Sequence, residues 1–305
     1  MTAPHRYIEN QFVRISRETQ HRLPLITADK ENELWHEIHY IFAREATRCK
    51  IVVLALSMTP FGYDAVIFDP EMKRSHFLKS INQCISNAVK RRVDHTDSLW
   101  SNAKPGNVPI LDIESLKKTL VEVCIIPVKM GYVRTVEEWV LPIIGPADWG
   151  ETLSFQDPRQ APEELKKRSS NHNPGILPLV NYATKTFNLK SGLISEIRGF
   201  ENAERRRRKK VLRKNDCYKA GTFLNHDSRG KVHEVCLSAA LCASSERLDR
   251  IAKTMKAFYL DYIEAFATFT WPIWSVFPCG TLKMREFYNV TCKPLDKDPF
   301  VFDPS

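Results

Sequence analysis

The sequence predicts an α+β protein built on a ferredoxin-like antiparallel sheet, with helices packed on one face and a mostly helical C-terminal extension. Short apolar runs alternate with segments of helical periodicity. Their order along the chain is strand, helix, strand, strand, helix, strand, helix, which is typical of this sheet. The 305 residues are 43% apolar, enough for a sizeable core, and this excludes wholesale disorder.

The first strand and the first helix are predicted near the N-terminus. Residues 10–20 alternate well enough for a strand. From Asp29, a suitable N-cap, the spacing becomes helical, with one apolar stripe formed by Leu34, Ile38, Ile41 and Ala46. His36 and His39 lie on this helix, but their spacing is one residue short of the HExxH zinc pattern, which favours core or solvated histidines over a metal site.

Two apolar runs, residues 51–57 and 65–68, are predicted to be buried strands that meet in a tight turn. Because side chains alternate along a strand, Gly62 and Asp64 are expected on one face and Tyr63 on the other. The functional interpretation depends on the residues with which the strand after this turn begins.

A second helix opens at Ser75 and ends in three basic residues, Lys90, Arg91 and Arg92, which are candidates for phosphate contacts. Residues 108–111 then form a short strand, and a third helix carries Glu122. Asp112 or Ser115 can cap that helix. Its exposed face is expected to hold Ser115, Lys118, Thr119, Glu122 and Ile126.

Composition shifts after Trp139, where prolines and glycines become frequent. We therefore expect three regions: a sheet domain at 1–144, a linker or irregular extension at 145–198, and a basic, mostly helical region at 199–305. In the last region, 244–268 has a helical apolar face. Two further segments, 275–277 and 282–290, are expected to form a terminal hairpin.

The charge of the chain points to a polyanionic partner. The formal net charge is +9, and a basic surface attracts nucleic acid. Eight basic side chains fall within ten residues, namely Arg205, Arg206, Arg207, Arg208, Lys209, Lys210, Arg213 and Lys214. Such a block either contacts phosphates or is a solvated, frayed surface helix, and both interpretations stay open at this point.

The remaining composition indicates a cytoplasmic protein. No apolar run reaches the roughly 18 residues that a membrane span needs, and the N-terminus lacks the apolar core of an export signal. Eight scattered cysteines are typical of reduced thiols rather than of a disulfide framework. Cys236 and Cys242, with His226 and His233, are an alternative zinc site, although their spacing matches no familiar zinc pattern.

Motifs at the turn and on the third helix resemble a known family. Asp69-Pro70-Glu71 fixes the register of the turn, so that Phe61-Gly62-Tyr63-Asp64 stands where the family reads Asn-His-Tyr-His. Ile126-Pro127-Val128 and Gly131-Tyr132-Val133 keep the Pro-Val and Gly-x-Val frame that follows the family's nucleophilic tyrosine. The chain thus resembles the REP-associated tyrosine transposases, a branch of the single-tyrosine HUH transposases, over nearly its whole length.

The same alignment shows which chemistry the sequence lacks. In the family, two histidines hold a metal that polarises the scissile phosphate, and a tyrosine attacks to form a phosphotyrosine link. A slip of one residue would place Phe61 and Tyr63 at the histidine positions, which still yields no histidine pair. The residues at the two histidine positions, the tyrosine position and the asparagine position are Gly62, Asp64, Glu122 and Ile126.

Three functions therefore compete. The first is a transposase-derived protein that binds single-stranded or hairpin DNA and no longer cleaves strands. RNA is an open alternative to DNA as its ligand. Such a protein would need no cofactor and would be a monomer or a homodimer. The second is a metal-dependent nuclease in which Asp64 and Glu122 bind Mg²⁺ or Mn²⁺ and water replaces the tyrosine. The third is a protein-interaction or regulatory module, against which the retained basic block argues.

Overall fold

The computed structural model describes residues 6–26, 33–92, 97–102, 105–139, 141, 143–149, 153, 155, 183–208, 240–269, 275–294 and 300–302. In this part of the chain one antiparallel sheet has the strand order β4-β1-β3-β2-β5. Its strands are β1 Gln11–Glu18, β2 Val52–Thr59, β3 Gly62–Asp69, β4 Gly106–Ile110 and β5 Ile143–Ile144. The helices are α1 Glu33–Cys49, α2 Arg74–Lys90, α3 Ile113–Cys124, α4 Ile126–Met130, α5 Ala183–Arg208, α6 Ser245–Thr268 and α7 Leu282–Tyr288.

The first four strands, with α1 between β1 and β2 and α2 between β3 and β4, have the ferredoxin-like order, so the predicted α+β class is confirmed. The short strand β5 pairs with β2 and extends the sheet at that edge. Helices α1 and α2 lie on one face, as predicted, and bury side chains such as Phe42, Phe77 and Ile81 against it.

The opposite face of the sheet is also covered. Leu116 and Leu120 of α3 pack on Phe12, Val66 and other apolar residues of that face, and Leu193 places α5 over the same cluster. The arrangement is therefore a sheet between two layers of helices. The layer formed by α3 and α5 matters for function, because Asp64 and Glu122 lie on this side.

Local capping explains where two of the helices begin. The Asp69 carboxylate accepts hydrogen bonds from the backbone N–H groups of Lys73 (2.8 Å) and Arg74 (3.0 Å), so α2 starts directly after β3. Of the two caps considered for α3, Asp112 is the one used, and its side chain accepts from the Ser115 N–H at 2.8 Å. Capping carboxylates stabilise a helix start by satisfying free donors and by their charge.

The C-terminal region docks on the edge of the sheet beside β4. Leu241 forms a parallel bridge to Ile110, donating its backbone N–H to the Pro109 carbonyl oxygen (2.7 Å) and accepting from the Leu111 N–H (3.0 Å). Ala240 and Ile251 pack with Leu111 in a separate apolar cluster. The helix expected at 244–268 is confirmed as α6, and the side chain of its N-cap, Ser244, accepts from the Arg247 N–H.

Three expectations need correction or comment. The terminal hairpin is wrong, because Leu282–Tyr288 is helix α7. Thr119 does not lie on an exposed helix face; it is buried, and its hydroxyl donates to the Ser115 carbonyl oxygen at 2.6 Å. The boundary expected between residues 198 and 199 falls inside the continuous helix α5. Within the described residues, no helix has the length and apolarity that crossing a bilayer requires.

Candidate functional site

The side chain at the start of β3 that matters most is Asp64. On the sheet it lies between Ser16 of β1 and Ser57 of β2, on the face covered by α3. Arg14, two residues before Ser16, points to the same face. Its guanidinium donates through Nε (3.1 Å) and Nη2 (3.0 Å) to Asp64 Oδ1 and through Nη1 (3.2 Å) to Glu122 Oε2.

The two carboxylates singled out from the sequence are therefore brought together, as the nuclease hypothesis requires, but an arginine joins them. The Arg14 side chain is 17% exposed, while those of Asp64 and Glu122 are 25% and 38% exposed. Burial raises the pKa of the Asp64 carboxyl above its ordinary value, although Arg14 opposes that shift. Arg14 was not identified from the sequence, and it is the residue that defines the chemistry here.

This arrangement does not fit a bound metal ion. One oxygen of each carboxylate, Asp64 Oδ1 and Glu122 Oε2, already accepts hydrogen bonds from the Arg14 guanidinium, and this positive charge repels a cation at the same place. Nor does the described part of the chain contain any group of three histidine, cysteine or acidic side chains suited to holding a metal. Arg14, Asp64 and Glu122 form a partly buried ion-pair cluster, hereafter the Arg14 cluster.

Gly62 cannot be replaced by a ligand residue without moving the backbone. Its φ is +143°, a conformation that side chains other than hydrogen rarely adopt. A Cβ atom there would lie 2.0 Å from the Arg17 carbonyl oxygen, which is a backbone atom of the paired strand β1. The glycine at the first histidine position is thus required by the turn between β2 and β3.

The other positions compared with the family also lack a nucleophile. Ile126 is the first residue of α4 and half-buried. Tyr63 faces the opposite side of the sheet, where its hydroxyl donates to Asn82 Oδ1 at 2.9 Å and burial raises its pKa well above the ordinary value. The Tyr132 ring stacks on Trp139 with 5.2 Å between centroids. The Tyr63 side chain is therefore on the sheet face opposite to that of Asp64, and the Tyr132 side chain is packed against Trp139.

The basic block begins on an anchored helix. Arg205, Arg206 and Arg207 are exposed in the last turn of α5, and Arg207 pairs with Glu204 at 3.5 Å while staying 78% exposed. One turn earlier, Glu201 accepts a hydrogen bond from the Val136 N–H at 2.8 Å. The Arg208 side chain lies outside the described residues, as do Lys209, Lys210, Arg213 and Lys214.

The second basic group predicted to bind nucleic acid forms ion pairs within the protein. Arg91 and Arg92 both pair with Glu37 of α1, and the Arg92 Nη1 to Glu37 Oε2 distance is 2.7 Å. Glu37 is only 2% exposed, so these arginines neutralise a buried charge and join the end of α2 to α1. Of this group, Lys90 stays exposed and available for phosphate.

The possible metal sites formed by histidine and cysteine side chains lie only partly within the described residues. His39 is buried and stacks on Phe155 with 4.7 Å between ring centroids, and burial lowers its pKa to about 4. It is a neutral core histidine at pH 7. Cys236, His226 and His233 lie outside the described residues, and Cys242 hydrogen-bonds Asp112.

Comparison with solved structures gives a loose structural likeness. No protein-family model and no curated protein matches the chain. Among solved structures, a REP-associated tyrosine transposase bound to a REP hairpin is 16% identical over 46% of this chain and 80% of that chain, with a TM-score of 0.38. An overlap this loose carries no argument about function, which therefore depends on the side chains described above.

Proposed function

We propose that this protein binds single-stranded or hairpin DNA through the basic segment Arg205–Lys214 and performs no strand cleavage. The observation that carries the proposal is that the segment starts with exposed arginines on a helix packed against the sheet domain. Helix α5 contacts the core through Leu193, and Glu201 and Glu204 in the turn before the arginines are buried. The arginines therefore project from a fixed support.

A fixed support favours phosphate binding for a physical reason. Ordering long side chains costs conformational entropy, and this cost is smaller when the backbone that carries them is already held in place. Arginine guanidinium groups donate two parallel hydrogen bonds to a phosphate. Adjacent arginines on one helical turn can thus follow a folded-back strand, such as a hairpin stem or its flanking single strand, without reading its bases.

The Arg14 cluster supports the second half of the proposal. Cleavage by a transposase of the resembled family needs two metal ligands and a nucleophile. Here Gly62 supplies no ligand, and Arg14 holds the two carboxylates. A guanidinium in this position stabilises the sheet and α3 through charge-assisted hydrogen bonds but cannot activate water, since it is a hydrogen-bond donor with no acceptor atom.

The proposed mode of binding implies little discrimination between nucleic acids. Contacts to phosphate position a protein on the backbone and carry no sequence information. Recognition of RNA as distinct from DNA requires contacts to the 2′-hydroxyl, which arginine–phosphate pairs do not provide. We therefore expect RNA hairpins to compete with DNA hairpins of the same length.

The proposal is tested by fluorescence anisotropy with a labelled DNA hairpin. Replacing Arg205, Arg206, Arg207 and Arg208 by alanine should weaken binding on every sequence tried. A matched control replaces four exposed basic residues elsewhere, Lys79, Lys129, Arg250 and Lys253, so that the net charge changes equally. If both variants lose the same amount of affinity, the effect is one of net charge rather than of the arginine segment. If the affinity of the arginine variant is unchanged, the interaction-module alternative is favoured.

The nuclease alternative is supported by one observation, the approach of Asp64 and Glu122 to a common partner. It requires Arg14 to leave so that a metal can bind. Arg14→Gln would free both carboxylates, and under this alternative the variant should nick DNA in Mn²⁺, with Asp64→Ala abolishing the nicking. If neither the wild-type protein nor Arg14→Gln nicks DNA, the alternative is to be dropped.

A further inference from the structure

Within the described residues, helix α6 has two apolar faces, one packed against the rest of the protein and one exposed. Ile251, Phe258 and Ala265 recur every seven residues and are buried. On the outer side, large apolar side chains lie three to four residues apart and so share one stripe. These residues and their exposed fractions are Tyr259 (37%), Leu260 (57%), Ile263 (41%) and Phe266 (38%).

Contiguous exposed apolar side chains of this kind mark a surface that another molecule covers, whereas single ones need no explanation. The stripe occupies two turns near the C-terminal end of the helix. Exposed charged residues border it, with Lys256 one turn before Leu260 and Glu264 one turn after it. An apolar strip with a charged rim is the usual composition of a protein–protein contact.

The charges on either side of Leu260 indicate which protein fits. Lys256 and Glu264 are each four residues from Leu260, about 6 Å along the helix axis in opposite directions. When two copies of α6 lie antiparallel with the twofold axis beside Leu260, each lysine meets the glutamate of the other copy. In a parallel pair, lysine would meet lysine and glutamate would meet glutamate, which is repulsive.

We propose that the outer stripe of α6 is a homodimer interface, in which the two helices pack antiparallel. The contact is isologous, since the same patch serves both copies. Leu260 of one copy packs on Leu260 of the other, and Tyr259, Ile263 and Phe266 flank this contact. This inference goes beyond nucleic-acid binding and does not depend on it.

One pair of helices buries less than the roughly 800 Å² per partner of a standard stable interface, so the dimer is weak. We expect a dissociation constant in the micromolar range, on the order of 1–100 µM. Such a dimer places two basic segments on one particle. It would strengthen binding to a long DNA by the increase in effective concentration rather than by new contacts.

The test is sedimentation velocity on nuclease-treated protein without DNA, over a concentration series. The wild-type protein should pass from monomer to dimer. Ile263→Glu should raise the dimer dissociation constant about tenfold or more, because it places a charge in the apolar contact of each copy. Since Ile263 is exposed in the monomer, far-UV circular dichroism should show an unchanged fold.

Charge reversal distinguishes the antiparallel arrangement. Lys256→Glu alone and Glu264→Lys alone should each weaken the dimer, whereas the double variant Lys256→Glu/Glu264→Lys should recover it. Arg250→Glu, an exposed change of the same sign on the same helix, should have no effect. A double variant as weak as the single variants would overturn the arrangement.

Two other outcomes would overturn the proposal entirely. One is a protein that stays monomeric throughout the concentration series. The other is a dimer that Ile263→Glu leaves unchanged. A monomer whose hairpin affinity falls in Tyr259→Ala would show instead that the stripe stacks on bases, as aromatic side chains do in single-strand binders.

Discussion

The salt dependence of DNA binding gives the sharpest quantitative prediction. Each arginine that neutralises a phosphate releases condensed counterion, and on single strands this contributes about −0.7 to the slope of log affinity against log salt. Three arginines are exposed in the last turn of α5, at Arg205, Arg206 and Arg207. If all three contact phosphate, replacing the run Arg205–Arg208 by alanine should make the slope shallower by about 2.

The assay is anisotropy titration at several salt concentrations between about 50 and 200 mM. Over this fourfold rise, the three contacts account for about a 20-fold loss of affinity in the wild-type protein, which the variant should not show. The variant with alanine at Lys79, Lys129, Arg250 and Lys253 should keep the wild-type slope. If the arginine variant has the same salt slope as the wild-type protein, the run contacts no phosphate and the proposed binding segment is wrong.

Three further predictions concern the ion pairs and the buried histidine. Glu37→Gln should destabilise the fold by about 2 kcal/mol in urea unfolding, since it removes the charge-assisted hydrogen bonds to two arginines; equal stability would refute the structural role assigned to Arg91 and Arg92. Arg14→Leu should cost about 2 kcal/mol at neutral pH and less as the pH falls, because the released Asp64 carboxylate, whose pKa burial raises, then takes up a proton; a cost independent of pH would contradict this. The pKa of His39 is lowered from 6.5 to about 4, so its neutral form contributes stability that is complete above pH 6.5. About 3 kcal/mol of it is lost between pH 6.5 and pH 4, a loss that His39→Phe should not show in thermal unfolding.

The sheet was predictable because its strands carry strong local signals. Residues 51–57 and 65–68 are apolar and closely spaced, and the structure extends them to β2 and β3. Asp112 was also predictable, since a capping carboxylate is recognised within its own four residues. Such features depend on neighbours in the sequence, and a single chain shows them directly.

The Arg14 cluster could not be predicted in the same way. Arg14 lies two residues from both Phe12 and Ser16 on a predicted strand, so the three side chains share one face of the sheet. Its contact with Asp64 depends on the pairing of β1 with β3, and its contact with Glu122 depends on which face α3 covers. Neither relation between distant segments is contained in the local pattern.

Two further features, the C-terminal helix α7 and the partner of the arginines that end α2, were not visible in the sequence. Residues 282–285 alternate apolar and polar side chains, which fits a short strand, whereas the structure has this segment in helix α7. The arginines at the end of α2 looked like a phosphate site because their partner, Glu37, lies 54 residues from Arg91 in the sequence. A buried acid is visible only once the helices are packed.

One experiment tests both DNA binding and the absence of strand cleavage. A labelled DNA hairpin with a single-stranded flank is incubated with the protein in Mn²⁺, and the sample is divided between native and denaturing electrophoresis. The account predicts a retarded complex on the native gel and intact, unmodified DNA on the denaturing gel. A shortened strand or a protein–DNA adduct that survives denaturation would contradict the absence of cleavage, and unretarded DNA on the native gel would contradict binding itself.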